Sequence, residues 1–211
     1  MTVHETWQQL ADHALVPVVV LDDPAAARPL GQALVDGGLP VAEVTLRTPE
    51  ALKGIQELAG HGGLLVGAGT VLTPRQVELA VEAGARYVVS PGLSRAVVER
   101  CQALGVPVLP GAVTATEVQA AIELGLEAVK FFPAATSGGP AAVAALAAPF
   151  ADMRFVPTGG IDAGNVADYL ALPAVLAVGG SWMVPRAAIR AGDFARIHEL
   201  TSQAVAATRG R

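Results

Sequence analysis

The stretch VPVLPGAVTATEVQAAIELGLEAVKFFP, residues 106–133, holds one complete repeat of this chain. It opens on a short apolar run, Val106–Pro110, of the length that suits a buried strand. Thr114 with Glu117 three residues on is a capping box, the alanine-rich segment behind it has helical length, and Gly125 stands where a C-cap glycine belongs. A second apolar run, Ala128–Phe132, then begins the next unit. Strand, helix and strand in succession build a parallel sheet.

The same alternation runs outward in both directions. Apolar runs at Val16–Leu21, Val41–Arg47, Leu64–Thr70, Tyr87–Ser90, Phe155–Thr158 and Val175–Gly179 complete a set of eight candidate strands. They begin roughly every 20 to 27 residues, with amphipathic segments between them. Asp23-Pro24, Thr48-Pro49 and Thr73-Pro74 are further helix-start signals, and Gly38, Gly84 and Gly105 further helix ends. Eight near-equal units favour a closed (β/α)8 barrel of the TIM type over residues 1–211, a single domain, with residues 3–14 as an extra N-terminal helix. The alternative is an open doubly wound sheet. Gly67-Ala68-Gly69 lacks the third glycine of a dinucleotide fingerprint and argues only weakly for it.

Composition narrows the function. Hydrophobic residues make up 52% of the chain and charged ones 16%, enough for a large core. A net charge of -5 with scattered arginines offers no basic stripe for nucleic acid. Cys101 is the only cysteine, which excludes an internal disulfide and suits a reducing cytoplasm. His4, Glu5, Gln8 and Gln9 interrupt any signal-peptide pattern, and no apolar run approaches the ~18 residues of a membrane span. A metal is not expected, because His4, His13, His61 and His198 all lie away from the strand ends. No cofactor is expected.

In such barrels the chemistry gathers at the C-terminal ends of the strands. Lys130, one of only two lysines against twelve arginines, stands in the apolar run Ala128-Val129-Lys130-Phe131-Phe132-Pro133. Desolvation disfavours an ammonium, so a lysine there is a candidate nucleophile, the alternative being a structural lysine that snorkels to water. In Val41–Arg47 the period of two puts Glu43, Thr45 and Arg47 on one face, which must be the inner one because Val44 and Leu46 meet the helices. Buried charges need a partner or a ligand, and an internal Glu–Arg pair is the structural alternative. With Thr70 and Thr158 at strand ends, the inward groups suit a carboxylate beside a reactive carbonyl. The pairs Gly159-Gly160 and Gly179-Gly180, the latter followed by Ser181, sit after the seventh and eighth strands, where this fold often binds phosphate. Ser137-Gly138-Gly139-Pro140 flanks the same mouth.

Glu43-Val44-Thr45-Leu46-Arg47-Thr48, Val66-Gly67-Ala68-Gly69-Thr70-Val71-Leu72, Ser90-Pro91-Gly92-Leu93, Lys130-Phe131-Phe132-Pro133, Pro157-Thr158-Gly159-Gly160-Ile161 and Gly179-Gly180-Ser181-Trp182 together resemble the bacterial 2-keto-3-deoxy-6-phosphogluconate (KDPG) aldolases, a family that includes the 4-hydroxy-2-oxoglutarate (KHG) aldolases. The resemblance runs in order from about residue 16 to the C-terminus. It implies a metal-independent class I aldolase, usually homotrimeric, that cleaves a phosphorylated keto acid through a lysine Schiff base. Its Schiff-base lysine falls on Lys130, its proton-shuttling glutamate on Glu43 and its carboxylate-binding arginine on Arg47, with Thr70 and Thr158 nearby. Phe132 and Pro91 line the implied pocket, and Gly159, Gly160, Gly180 and Ser181 form the implied phosphate site. Two rivals stay open on the residues alone: a phosphosugar isomerase or epimerase, which needs no iminium, and a non-catalytic phosphometabolite-binding barrel.

Overall fold

The computed structural model describes residues 2–208. Helix α1, Val3–His13, starts on a capping box in which Thr2 and Glu5 exchange side-chain and backbone hydrogen bonds. Strand β1, Leu15–Val19, follows, and a 3-10 turn, Pro24–Ala26, leads into α2, Ala27–Asp36. The alternation continues with β2 Val41–Thr45, α3 Ala51–Ala59, β3 Leu65–Gly69, α4 Pro74–Glu82, β4 Tyr87–Val89 and α5 Arg95–Ala103. Then come β5 Val108–Leu109, α6 Ala115–Glu123, β6 Ala128–Phe131, α7 Gly139–Ala147, β7 Arg154–Pro157, α8 Val166–Leu170 and β8 Val178–Gly180. Two helices, α9 Arg186–Ala191 and α10 Phe194–Thr208, end the described chain.

Local chemistry sets these boundaries. The capping boxes Thr73/Gln76 and Thr114/Glu117 start α4 and α6. Helices α2, α4, α5 and α6 each run into a glycine of positive φ (Gly38, Gly84, Gly105 and Gly125). The residue after that glycine donates back to the last turn, Leu39 to the Leu34 carbonyl and Leu126 to that of Ala121, which are Schellman closures. Thr48 departs from expectation. Helix α3 starts only at Ala51, and the Thr48 hydroxyl donates to the Leu21 carbonyl instead of capping it. Several strands are also shifted or shorter than their apolar runs. The last extends over 178–180 rather than 175–179, and Val175 lies outside it, in an isolated bridge to Phe155.

All strand pairings are parallel, in the order β5-β4-β3-β2-β1-β8, with β6-β7 as a separate pair, so the α/β fold rests on a curled parallel sheet. Single bridges join the two sets: Gly111 with Lys130, and Thr158 with Gly179. β1 to β3 are nearly wholly buried, and helices bury one stripe each, as α3 does with Ala51, Ile55 and Leu58. Helix α10 packs on α2, and Arg186 grips Asp22 through Nε (2.8 Å) and Nη2 (2.5 Å), tying the last unit to the first. Helix α1 lies at the opposite end from the site, its Trp7 helping to line a cavity of about 250 Å³ beside the starts of β5 and β6.

Candidate active site

Lys130 and Glu43 reach each other across the interior. The Lys130 Nζ lies 3.3 Å from Glu43 Oε1, and the two residues are only 5% and 2% exposed. β6 presents the lysine: its N–H donates to the Pro110 carbonyl, while its own carbonyl accepts from Ala112. The Phe132 ring lies under the amine, 5.2 Å from Nζ to centroid. An amine and a carboxylate so placed can exchange a proton with little movement, and water has little access to either.

Every β2 residue is buried, and Thr45 shares the inner face with Glu43, its hydroxyl spent on the Val19 carbonyl. Arg47 corrects the reading of β2 as a longer strand. The strand stops at Thr45, so Arg47 lies in the following turn, exposed, and its Nε donates to Thr70 Oγ1 at 3.3 Å. Thr70 has a φ of 59°, a left-handed conformation that a β-branched residue rarely adopts. Strain of this kind persists where the surroundings enforce it, often at functional sites. The guanidinium therefore stands at the rim, four residues beyond the carboxylate on the same chain segment.

Thr158 directly follows β7 and is buried, bridged to Gly179; a Cβ on Gly179 would run into its hydroxyl. That bridge sets the ends of β7 and β8 side by side, so the loops beginning at Gly159 and Ser181 leave from one place. Gly159 and Gly160 both have positive φ, at 100° and 73°. Their carbonyls are taken up by the Ala135 N–H (3.0 Å) and by Asn165 Nδ2 (3.1 Å). Gly160 and Ser181 are exposed, whereas Gly180 is buried beneath the Trp182 ring. Pro91 is half-buried; its carbonyl packs on Gly111, which bridges Lys130.

Sequence reading assigned no role to Tyr87, Asn165 or the separate glycines of β3. Asn165 fastens the glycine loop. Gly67 and Gly69 are bare because side chains from neighbouring strands fill their inner faces, Tyr87 over Gly67 and Glu43 over Gly69. The signal was a glycine pair of strand period opposite a bulky aromatic on the next strand. Among the described residues no group of three or more His, Cys, Asp or Glu is placed to hold a metal ion.

The sequence model of the family described as KDPG and KHG aldolase matches residues 7–200. The chain belongs to that family. The 2-dehydro-3-deoxy-phosphogluconate aldolase of Treponema pallidum is 48% identical over 204 residues, 96% of each chain. The KHG/KDPG aldolase of Escherichia coli K12 is 44% identical, over 95% of this chain and 97% of its own. Among solved structures, the KDPG aldolase of Legionella pneumophila, with pyruvate captured as a covalent carbinolamine, superposes with a TM-score of 0.90 at 41% identity, over 93% of this chain and 96% of that one. Those relatives and the paired amine and carboxylate point to the same class of chemistry.

Proposed function

We propose that this chain is a class I, metal-independent carbon–carbon lyase. It cleaves KDPG to pyruvate and glyceraldehyde 3-phosphate through a Schiff base on Lys130. The observation that carries this is the buried Lys130–Glu43 contact at the end of β6. Its frame is a single (β/α)8 barrel with α1 as an additional helix. Sequential strand order supports that reading: β1 pairs with both β2 and β8, whereas a doubly wound sheet reverses its order partway.

Lys130, its proton passed to Glu43, attacks the C2 ketone to give a carbinolamine. Glu43 returns the proton to the carbinolamine hydroxyl, which leaves as water, so that an iminium and a Glu43 carboxylate remain. Glu43, through a water, takes the C4 hydroxyl proton. The C3–C4 bond then breaks, its electrons flow into the iminium, and the aldehyde leaves. The enamine recovers a proton at C3 from Glu43, and hydrolysis releases pyruvate and free lysine. Covalent catalysis divides one hard step into easier ones. Arg47 forks onto the substrate carboxylate, assisted by Thr70, a planar geometry that a lysine could not match. Thr158, Phe132 and Pro91 shape the pocket, and the backbone of Gly159, Gly160 and Gly180 with the Ser181 hydroxyl receives the phosphate. The same keto-acid half is present in 4-hydroxy-2-oxoglutarate, which this site cleaves to pyruvate and glyoxylate.

A homotrimer is the family habit, and exposed Leu72 and Ile122 offer apolar surface toward it. A cytoplasmic setting suits a chain whose lone Cys101 is a buried thiol, pushed up to about 12 by desolvation. Borohydride in the presence of pyruvate tests the core of the reading. A three-carbon fragment should become fixed to Lys130, and an adduct confined to Lys53 would assign the chemistry elsewhere.

A further inference from the structure

Tyr87 is among the largest fully buried side chains, and the reaction as written does not use it. Glu43, Gly67 and Tyr87 form one row across β2, β3 and β4, since Gly67 registers with both others. The Tyr87 ring crosses the bare face of Gly67, where a Cβ would lie 2.5 Å from Cε1. Its hydroxyl reaches over β3 to donate to the Ala42 carbonyl at 3.0 Å, one residue before Glu43. Glu43 leans the other way, over Gly69 and toward Lys130. Burial, and then the charge of Glu43, hold the phenol well above its ordinary range, so it remains a donor to Ala42.

We propose that Tyr87 is a positioning residue for the lyase reaction: its ring is the plate that keeps the Glu43 carboxylate turned up toward Lys130. This rests on the aldolase reading. Without the ring, a staggered rotation of Glu43 carries its carboxylate into the space over Gly67 and away from the amine. The hydroxyl fixes the ring in place, and the ring supplies the barrier.

The test compares Tyr87→Phe and Tyr87→Met in the full chain, with kcat, KM and pyruvate–borohydride trapping measured on KDPG-active protein. Tyr87→Phe keeps the plate and should hold kcat within about threefold, whereas Tyr87→Met fills the space with a flexible chain and should lower kcat by about tenfold to a hundredfold at nearly constant KM. A purely structural role would lower stability without splitting kcat from KM. Wild-type kcat in Tyr87→Met, a KM that changes in step with kcat, or an equal loss in Tyr87→Phe would each overturn the proposal. Should Tyr87→Met not fold, Tyr87→Leu, which also leaves the face of Gly67 open, is read by the same criteria. A wild-type chain that neither turns over nor forms the Lys130 adduct would fail the aldolase reading itself; an active wild type with a flat Tyr87 series fails only this inference.

Discussion

Glu43 lies across the place where Gly69 has no side chain: a Cβ on Gly69 would stand 2.8 Å from Glu43 Cγ and 2.9 Å from Cδ, and would run into Oε1. The glycine is therefore part of how the carboxylate reaches Lys130. Gly69→Ala should push the carboxylate off the amine and lower kcat by about a hundredfold, the usual weight of an ångström of misplacement. Steady-state kinetics check this, and undiminished turnover would mean that Glu43 gives way without cost.

Glu43→Gln retains the shape of the side chain and removes its capacity to take a proton. Turnover should fall by about 10²–10⁴-fold, the range for general acid–base catalysis. Adduct formation with pyruvate should slow but persist in part, because water can take the Lys130 proton in place of Glu43, less effectively. Turnover near wild type would take Glu43 out of the mechanism.

Ser181 is exposed beside the bare backbone of the seventh and eighth loops. A hydrogen bond to a charged phosphate is worth about 1.5–3 kcal/mol, so Ser181→Ala should cost roughly tenfold to a hundredfold in kcat/KM on KDPG. The loss on 4-hydroxy-2-oxoglutarate, which has no phosphate, should be small. Equal losses on the two substrates would contradict a phosphate role.

Glu117 gives the fold a pH signature. Partial burial pushes its carboxyl up, but the N–H groups of Val113 and Thr114 and the Thr114 hydroxyl all donate to it, and the net effect is a value below the ordinary one. A carboxyl held low when folded adds stability above its unfolded pKa, about 4.3, and loses that stability as the pH falls through the folded value. Urea denaturation of wild type and Glu117→Gln should differ near neutral pH and converge in acid. A gap that does not change between neutral and strongly acidic pH would assign the effect to something other than the charge.

The order of elements was legible because it is written locally: apolar runs, capping boxes and closing glycines all lie within a few residues of the boundaries they set. Lys130 and Glu43 were legible for a similar reason, as charges at inward positions of apolar strands. Arg47 was misplaced because the end of β2 depends on pairing with β3, not on alternation within residues 41–47. Thr48 looked like a cap but found the Leu21 carbonyl, a partner 27 residues away. The glycines of β3 looked like a fragment of a nucleotide fingerprint. Their reason lies on β2 and β4, and no reading confined to residues 67–69 could supply it.

The amine and the carboxylate stand on β6 and β2, while the glycine loops leave β7 and β8. On the proposed assignments, keto-acid chemistry and phosphate recognition thus fall on separate segments of the chain. On those same assignments, randomising the exposed residues 162–164 and Ser181 should change the aldehyde accepted in the synthetic direction while pyruvate stays the carbon nucleophile. Such a division makes the scaffold a suitable starting point for stereoselective carboligation catalysts.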